Sequence, residues 1–159
     1  MNKKELQDLE INKFIILTDN REQQPYRFPN TKMCTLSYGD YTVEYEGVNY
    51  LDKIVIERKG SMSELFSFSG TGRERFVREL EKMKDVKFKY MLIEADYLSI
   101  VNDQPPGLLP ASHVYSTIFS FMIKYRIVPL FFNNDQNGRN ALYKILQFFV
   151  KYEILKINV

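Results

Sequence analysis

Two acidic residues and a lysine are spaced so that the folded chain could bring them together. Asp40 is separated by sixteen residues from the run Glu57-Arg58-Lys59. Successive side chains of a β-strand alternate between faces, so Glu57 and Lys59 would share one face while Arg58 lies on the other. A turn in the intervening segment would fold the chain back and place Asp40 beside Glu57. We therefore expect two carboxylates and an ammonium group at one end of a hairpin, with the Arg58 carbonyl within reach.

This set of groups suits the hydrolysis of a phosphodiester. Mg²⁺ is a hard ion that takes a few carboxylates and keeps waters and phosphate oxygens as its other ligands. It polarises the phosphate and lowers the pKa of a bound water, so no catalytic histidine is required. Lys59 would orient that water and stabilise the charge that develops on phosphorus. Asp19, at the end of the first predicted strand, offers a third carboxylate for a second ion or for the outer coordination shell.

The same spacing has a simpler interpretation, a surface hairpin with a salt-bridged Glu57 and Lys59. Chance matches to such a pattern are common in a chain with 20 acidic and 22 basic residues. The three residues before Glu57 argue against it, because 54–56 is an apolar β-branched run typical of a buried strand. A buried strand that ends in three charges sets them at the edge of a sheet.

Hydrophobic patterning predicts the elements that would position these groups. Short apolar runs indicate buried strands, and apolar residues three or four apart indicate amphipathic helices. The order predicts a single α/β domain over 1–159, with a mixed central sheet flanked by helices. We predict strands at 14–17, 34–37, 41–45, 50–58, 90–93 and 127–132, helices at 61–68, 73–83, 112–124 and 139–152, a short helix or loose tail at 1–11, and loops or turns at 20–32, 46–49, 97–110 and 133–138.

Composition excludes several other classes of protein. A single cysteine, Cys34, rules out an internal disulfide and is typical of a reducing compartment. With one histidine, His113, neither a Cys–His protease nor a structural zinc site has support. The polar N-terminus and the lack of an apolar run of ~20 residues predict an intracellular, cytoplasmic protein with no membrane partner. The net charge of +2 is too small to indicate a nucleic-acid partner, so a basic footprint must be local.

Five short blocks follow one another in an order typical of one nuclease family. They are 18–22, 39–41, 54–59, 72–76 and 90–94, and they span most of 13–132. Together they resemble the nuclease domain of the XPF-like structure-specific endonucleases, which belong to the restriction-nuclease-like PD-(D/E)xK superfamily. The Gly39-Asp40 and Glu57-Arg58-Lys59 motifs are the most specific part of this resemblance.

The resemblance implies a DNA endonuclease that requires Mg²⁺, with Mn²⁺ as a substitute, and no small-molecule cofactor. It implies cutting near single-strand/double-strand junctions such as flaps and forks, with 5′-phosphate and 3′-hydroxyl products. By position, Asp40, Glu57 and Lys59 match the catalytic residues. Asp40 and Glu57 also match the metal ligands, with the Arg58 carbonyl assisting and Asp19 as a further acidic ligand.

Other positions are matched less completely. Glu22 corresponds to an accessory acid of the family. The acid that the family places four residues after the signature lysine is Ser63 here, and the neighbouring Glu64 could substitute for it. A homodimer formed through the helical faces is a further implication. The residues that we predict to contact DNA are Arg21, Tyr38, Tyr41, Arg58, Arg73 and Arg75.

Two alternative functions remain open at the level of sequence. The first is a catalytically inactive DNA-binding module of the same fold. The serine at position 63, where the family has an acid, mildly favours this alternative, whereas the intact set of Asp40, Glu57 and Lys59 argues against it. The second is a protein-interaction domain that presents its aromatic helices. DNA affinity that falls steeply with salt would separate a DNA-binding protein from a protein-only partner. RNA is not excluded as a substrate by the residues themselves.

Overall fold

The computed structural model describes residues 2–102 and 109–157. Strands alternate with helices along the chain, as the patterning predicts. The strands are β1 (Ile15–Asp19), β2 (Thr31–Cys34), β3 (Tyr41–Tyr45), β4 (Val48–Asn49), β5 (Ile54–Lys59), β6 (Phe88–Ile93) and β7 (Val128–Phe131). The helices are α1 (Lys3–Ile11), α2 (Met62–Ser69), α3 (Arg73–Lys82), α4 (Tyr97–Asn102), α5 (Ala111–Tyr125) and α6 (Asp135–Phe149), and α6 continues into a π-helical turn (Val150–Ile154).

The strands form one mixed seven-stranded sheet in the order β2-β1-β3-β5-β6-β7, with β4 paired to β3. β1, β3 and β5 are antiparallel neighbours, whereas β2 is parallel to β1 and the series β5, β6 and β7 is parallel. Parallel neighbours bring the carboxyl ends of β5, β6 and β7 to the same edge of the sheet. The predicted α/β class with a mixed central sheet is confirmed.

Helices cover both faces of the sheet, and the alternation of side chains along β5 assigns each residue to one face. Val55 packs with Leu65 of α2 and Phe121 of α5. Ile56 packs on the opposite side with Leu142 of α6. Each such fully buried aliphatic side chain contributes roughly 1.5–3 kcal/mol through its removal from water. Both faces of β5 are therefore buried, and only its carboxyl end is available for polar groups.

One predicted strand is displaced. The strand expected at 34–37 lies at Thr31–Cys34 and begins inside the segment 20–32 that was expected to be loop. Its position is set by parallel pairing with β1, in which Ile16 faces Thr31 and Asp19 faces Cys34. This register depends on a contact between separate segments, which the local pattern does not contain.

Polar capping residues begin two helices where loops were expected. Asn134 accepts a hydrogen bond from the Asn137 amide at 2.8 Å, so α6 starts at Asp135 instead of residue 139. Asp96 accepts bonds from the amide and hydroxyl of Ser99, and α4 follows it inside the predicted 97–110 loop. Residues 103–108 of that loop lie outside the described part of the chain.

Smaller differences concern the two ends of the hairpin and the N-terminus. The predicted turn at 46–49 contains the two-residue strand β4, and β5 starts at Ile54 because 50–53 forms a second turn. The N-terminal segment is a helix that begins with a capping box between Asn2 and Glu5. Within the described residues, no helix has both the length and the apolar character needed to span a membrane.

Candidate active site

A cleft of about 470 Å³ opens at the carboxyl end of β5, between the sheet and the helices α2 and α3. Asp40, Glu57 and Lys59 all line it, so the structure brings the three predicted catalytic residues together. Side chains from three other parts of the chain complete its wall: Asp19, Arg21, Glu22, Gln23, Glu64, Ser67, Phe68, Arg75, Phe76 and Glu79.

The alternation along β5 places Glu57 and Lys59 in the cleft. Glu57 is 6% exposed, and the Lys59 ammonium lies 3.4 Å from Glu57 Oε2. The same ammonium lies 4.6 Å from the centroid of the Phe76 ring, which restricts where the lysine side chain can move. The pair is thus held against an apolar wall, where charge–charge interactions are stronger than in open water.

Backbone hydrogen bonds join Asp40 to β5. The Asp40 amide donates to the Ile56 carbonyl at 3.0 Å, and the Arg58 amide donates to Asp40 Oδ2 at 2.7 Å. The amide and carbonyl of one strand residue point toward the same neighbouring strand. The Arg58 carbonyl therefore faces the Asp40 side of β5, as the sequence predicts for an assisting metal ligand.

Gly39 allows this close approach of the Asp40 loop to β5. Its φ is +72°, in the left-handed region that side chains with a Cβ rarely adopt. A Cβ at this position would lie 2.1 Å from Cγ2 of Val55, a buried atom in the centre of β5. Both the backbone conformation and the packing require glycine immediately before Asp40.

Replacing Gly39 with alanine is expected to lower the free energy of unfolding by about 3 kcal/mol, because left-handed strain and a steric clash add together. Gly47 is the matched control, since its φ is +77° but a Cβ there would meet nothing within 4 Å. Gly47→Ala should cost about 1 kcal/mol. Urea denaturation of both variants checks the difference, and equal losses would show that contact with Val55 does not determine the glycine at position 39.

The charges in the cleft are unbalanced in a way that favours a bound cation. Burial raises the pKa of Asp40 well above its ordinary value, and the nearby Glu57 carboxylate raises it further. Burial alone would lower the pKa of Lys59, but Glu57 and Asp40 outweigh that effect and the pKa of the ammonium is raised. One lysine is shared by two repelling carboxylates, so additional positive charge would be stabilised here.

The donor set fits Mg²⁺ if solvent and substrate complete its coordination. Two carboxylates and a backbone carbonyl are hard oxygen ligands, and this ion commonly keeps several waters. Across residues 2–102 and 109–157, no group of three or more His, Cys, Asp or Glu side chains is arranged to hold a metal ion. Asp40, Glu57 and the Arg58 carbonyl are the protein groups that the sequence predicts to bind a metal at this site.

Asp19 lines the cleft, and several hydrogen-bond donors hold its carboxylate. Burial raises the pKa of its carboxyl, but hydrogen bonds from the Arg21 side chain and from the Arg21 and Leu36 amides outweigh it, and the pKa is lowered. Arg21 Nε lies 2.7 Å from Oδ1, and the Leu36 amide lies 2.7 Å from Oδ2. The four donor contacts to this carboxylate order the loop after β1, and the role of Asp19 as a metal ligand stays a prediction.

The two predicted accessory acids both line the cleft. Glu22 accepts a hydrogen bond from the Gln24 amide at 3.1 Å, and Glu64 accepts one from the Gly60 amide at 2.7 Å. Glu64 is exposed at the start of α2 and contributes to the raised pKa of Lys59. Ser63 is exposed and is not among the residues that line the cleft, whereas the neighbouring Glu64 is; its substitution for the family's acid stays a prediction.

Arg58 points to the opposite face of the sheet, and its side chain is not placed to contact DNA as predicted. Its guanidinium is 7% exposed and forms two bonds to Glu94, with Nε at 2.7 Å from Oε1 and Nη2 at 3.0 Å from Oε2. It also donates to the Gln24 carbonyl and lies 4.2 Å from the centroid of the Tyr26 ring. This ion pair anchors the end of β5 to β6 and to the 20–30 loop.

Of the other predicted DNA contacts, Arg21 and Arg75 are exposed and line the cleft. Arg73 donates to the Thr117 hydroxyl at 2.8 Å and therefore packs on α5. Tyr41 is fully buried and cannot stack on a base, while Tyr38 is half-buried and packs against the core beneath α2. The prediction for Tyr41 is thus corrected, because its ring is buried in the core. Arg73 is half-buried, and its contact with DNA stays a prediction.

Sequence reasoning missed Glu94 and Glu79 as site residues. Glu94 ends the β6 run 90–93, and this pattern of a buried strand followed by an acid is the one that identified Glu57. Glu79 lines the cleft from α3, one helical turn after Arg75. Its interleaving with basic residues on the helix concealed it, since such a pattern is also typical of a solvated face.

Comparison with known proteins supports the fold. A scan against protein-family models and a search of curated proteins each find no match. Two solved structures are similar: XPF from Aeropyrum pernix, with a TM-score of 0.62, and XPF from Aeropyrum pernix in complex with DNA, with a TM-score of 0.64. Both are 16% identical to this chain, and the alignments cover 84% and 86% of it.

This chain spans 65% and 64% of those two chains, so it corresponds to part of each. At 16% identity the similarity concerns the fold and not the chemistry. The mixed central sheet flanked by helices agrees with that similarity. The chain therefore has the XPF-like α/β fold that the sequence resemblance implies.

Proposed function

We propose that this protein is a metal-dependent DNA endonuclease whose catalytic centre is the cleft at the carboxyl end of β5. The observation that carries the proposal is the meeting of Asp40, Glu57 and Lys59 in that cleft, although Asp40 comes from a different strand region. The similarity to a structure of XPF in complex with DNA supports DNA as the substrate. The cleft also presents the exposed Arg21 and Arg75 to a phosphate backbone.

Asp40, Glu57 and the Arg58 carbonyl would hold Mg²⁺, with Mn²⁺ as a substitute. When bound, the ion would supply Lewis-acid stabilisation of phosphate charge and a more acidic water. Lys59 would donate hydrogen bonds to the attacking water and to the phosphate oxygens, since its raised pKa keeps it protonated. Glu57 positions that ammonium, and the apolar wall of Phe76 limits its alternatives.

The preference for branched DNA and the homodimer are parts of this proposal that rest on the resemblance. The cleft is open on one side and lined by polar groups, which suits a polymer better than an enclosed small molecule. Exposed aromatic and aliphatic side chains on α5, including Phe119 and Ile123, are available for association of two copies.

The test is cleavage of labelled blunt duplex, single-stranded, flap and fork DNAs with Mg²⁺ or Mn²⁺. The wild type should cut, and Lys59→Met should reduce the single-turnover rate by about 10²- to 10³-fold, the typical effect of losing one charge-stabilising donor. Lys59→Met should still show a metal-dependent rise in melting temperature, because Asp40 and Glu57 remain.

Lys53→Met is the matched control, since Lys53 is exposed at the opposite end of β5 and should cut at the wild-type rate. If the wild type binds forks but cuts with neither metal, the protein is a binding module. If Lys59→Met cuts like Lys53→Met, the lysine is not part of the catalytic centre.

A further inference from the structure

A groove leads away from the catalytic cleft along α6. Two hollows of about 450 and 580 Å³ continue from the cleft, and each shares residues with the one before it. The first shares Gln23 and Arg58 with the cleft, and the second shares Arg27 and Arg139 with the first. We call this path the α6 groove; its walls are the loop 23–30 and the first turns of α6, residues 135–144.

The α6 groove carries local positive charge that the near-neutral composition hides. Arg27, Arg139 and Lys144 line it, and the acid that the structure places in its wall is Asp135. Within the described part of the chain, no carboxylate lies within 4 Å of the cationic nitrogens of these three residues, unlike Arg21 or Arg58. Three cations without an ion-pair partner on one surface are available to bind phosphates.

Helical spacing places Arg139 on the groove side of α6. It lies three residues after Gln136 and four before Tyr143, so these three side chains share one face of the helix. Arg139 donates Nη1 to the Arg27 carbonyl at 3.1 Å, which joins the two walls of the groove. Its guanidinium also lies 5.8 Å from the centroid of Phe28. Contacts between α6 and the loop 23–30 therefore hold the two walls of the groove together.

The floor of the groove is aromatic and its sides carry amides. The ring centroids of Phe28 and Tyr143 are 6.1 Å apart, and both side chains are half-buried. Aromatic faces stack on unpaired bases with little sequence preference, and cations beside them track the backbone. Asparagine and glutamine side chains can meet base edges, and they line the groove at Asn12, Gln23, Gln24, Asn30, Gln136 and Asn140.

We propose that a single strand of DNA leaving the catalytic cleft runs along the α6 groove, with its phosphates on Arg27, Arg139 and Lys144. The inference rests on the proposed function in one respect, because it takes DNA to be the substrate of the cleft. The inference adds a path for single-stranded DNA along the face of the sheet opposite to Glu57 and Lys59. A branched substrate would then place its scissile phosphate in the cleft and its unpaired arm in the groove.

The experiment measures binding without metal, so that it does not depend on cleavage. Fluorescence anisotropy in EDTA compares a fork bearing one unpaired arm with a blunt duplex of equal length, over a range of salt. In the triple variant Arg27→Gln, Arg139→Gln and Lys144→Gln, the glutamines retain hydrogen-bonding capacity and favour folding. Affinity for the fork should fall by about tenfold or more, and the salt slope should decrease by about two, the expectation for three lost single-strand contacts.

The matched control is Lys53→Gln, Lys87→Gln and Lys124→Gln, which removes the same charge from exposed positions at the opposite end of the sheet. It should bind the fork nearly as well as the wild type. Equal losses of fork affinity in both triple variants would refute the proposed DNA path along the α6 groove, because net charge alone would then explain the loss. Equal losses for fork and blunt duplex would overturn the assignment to a single strand.

Cleavage measured separately distinguishes failure of the groove from failure of the proposed function. If the wild type cuts DNA and the groove variant binds the fork as well as the control variant does, the proposed DNA path is refuted and the proposed function is not. A wild type that never cuts but loses fork affinity selectively in the groove variant refutes the nuclease and supports the groove. A wild type with no affinity for DNA refutes both.

Discussion

Asp40→Asn is expected to reduce DNA cleavage by about a thousandfold or more while making the metal-free protein more stable. The activity falls because a neutral amide is a poor ligand for Mg²⁺, and the ion supplies several kcal/mol of transition-state stabilisation, each 1.36 kcal/mol of which is tenfold in rate. The hydrogen bond from the Arg58 amide to position 40 can persist, because asparagine keeps an acceptor oxygen there. Single-turnover cleavage and thermal denaturation in EDTA measure the two effects.

The gain in stability follows from the raised pKa of Asp40. Burial and Glu57 make the folded protein bind this proton more tightly than the unfolded chain does. The ionised carboxylate therefore costs stability, fully so above its folded pKa; the cost declines as the pH falls through that pKa and disappears below the pKa of the unfolded chain. Asparagine removes the cost at neutral pH, so the melting temperature of the variant should exceed that of the wild type there, and the difference should shrink in acid.

Metal binding provides a readout that is independent of catalysis. Mg²⁺ at a hundredfold its dissociation constant should stabilise the wild type by about 2.7 kcal/mol, because it binds the folded state alone. Asp40→Asn should lose most of that shift, whereas Asp52→Asn, which alters an exposed carboxylate paired with Lys53, should keep it. An Asp40→Asn variant that cuts DNA or retains the full metal shift would exclude Asp40 as a ligand.

Glu94→Ala is expected to lower the free energy of unfolding by about 3–5 kcal/mol, the usual cost of leaving a buried charge without its partner. Arg58 and Glu94 are each 7% exposed at their side chains, and Tyr26 also donates its hydroxyl to Glu94. Removing the carboxylate takes away the nearer acidic partner of the buried guanidinium and leaves it with Glu22, whose Oε1 lies 3.8 Å from Nη1. Because the end of β5 carries the proposed catalytic groups, cleavage should fall as well. Denaturation by guanidinium chloride measures the loss.

Two further variants give this prediction its controls. Glu44→Ala removes an ion pair with Lys32 whose lysine side chain is 58% exposed, and it should cost less than about 1 kcal/mol. The double variant Arg58→Met with Glu94→Leu should recover much of the lost stability, since apolar replacements of a buried pair are often neutral. A loss for Glu94→Ala no larger than that for Glu44→Ala would mean that the pair is solvated and does not anchor β5.

Local patterns in the sequence were sufficient for the core of the candidate site. The apolar run 54–56 followed by three charges predicted a buried strand with Glu57 and Lys59 on one face and Arg58 on the other. The structure shows that arrangement, because alternation of side chains is a property of any strand and needs no distant partner. The approach of Asp40 followed from a hairpin that the chain forms locally. The metal-binding and catalytic roles of these residues stay predictions.

Features that depend on contacts between distant segments were not predictable in the same way. Asp19 is engaged by the Leu36 amide 17 residues away, Arg58 by Glu94 36 residues away, and Arg73 by Thr117 44 residues away. Each of these side chains has the right chemistry for a metal or phosphate. Whether it is free to act depends on which partner the folded chain brings to it.

The sequence by itself determined the α/β class, the character of β5 and the identity of the acidic pair with its lysine, because periodicity and residue chemistry are local properties. Tertiary structure decided that Asp19 forms an ion pair with Arg21, that Tyr41 is buried, and that Glu64 lines the cleft while Ser63 does not. It also decided that Arg27, Arg139 and Lys144 share one groove. Only the packing of α6 against the loop after β1 brings those three cations to one surface, although they come from segments more than a hundred residues apart.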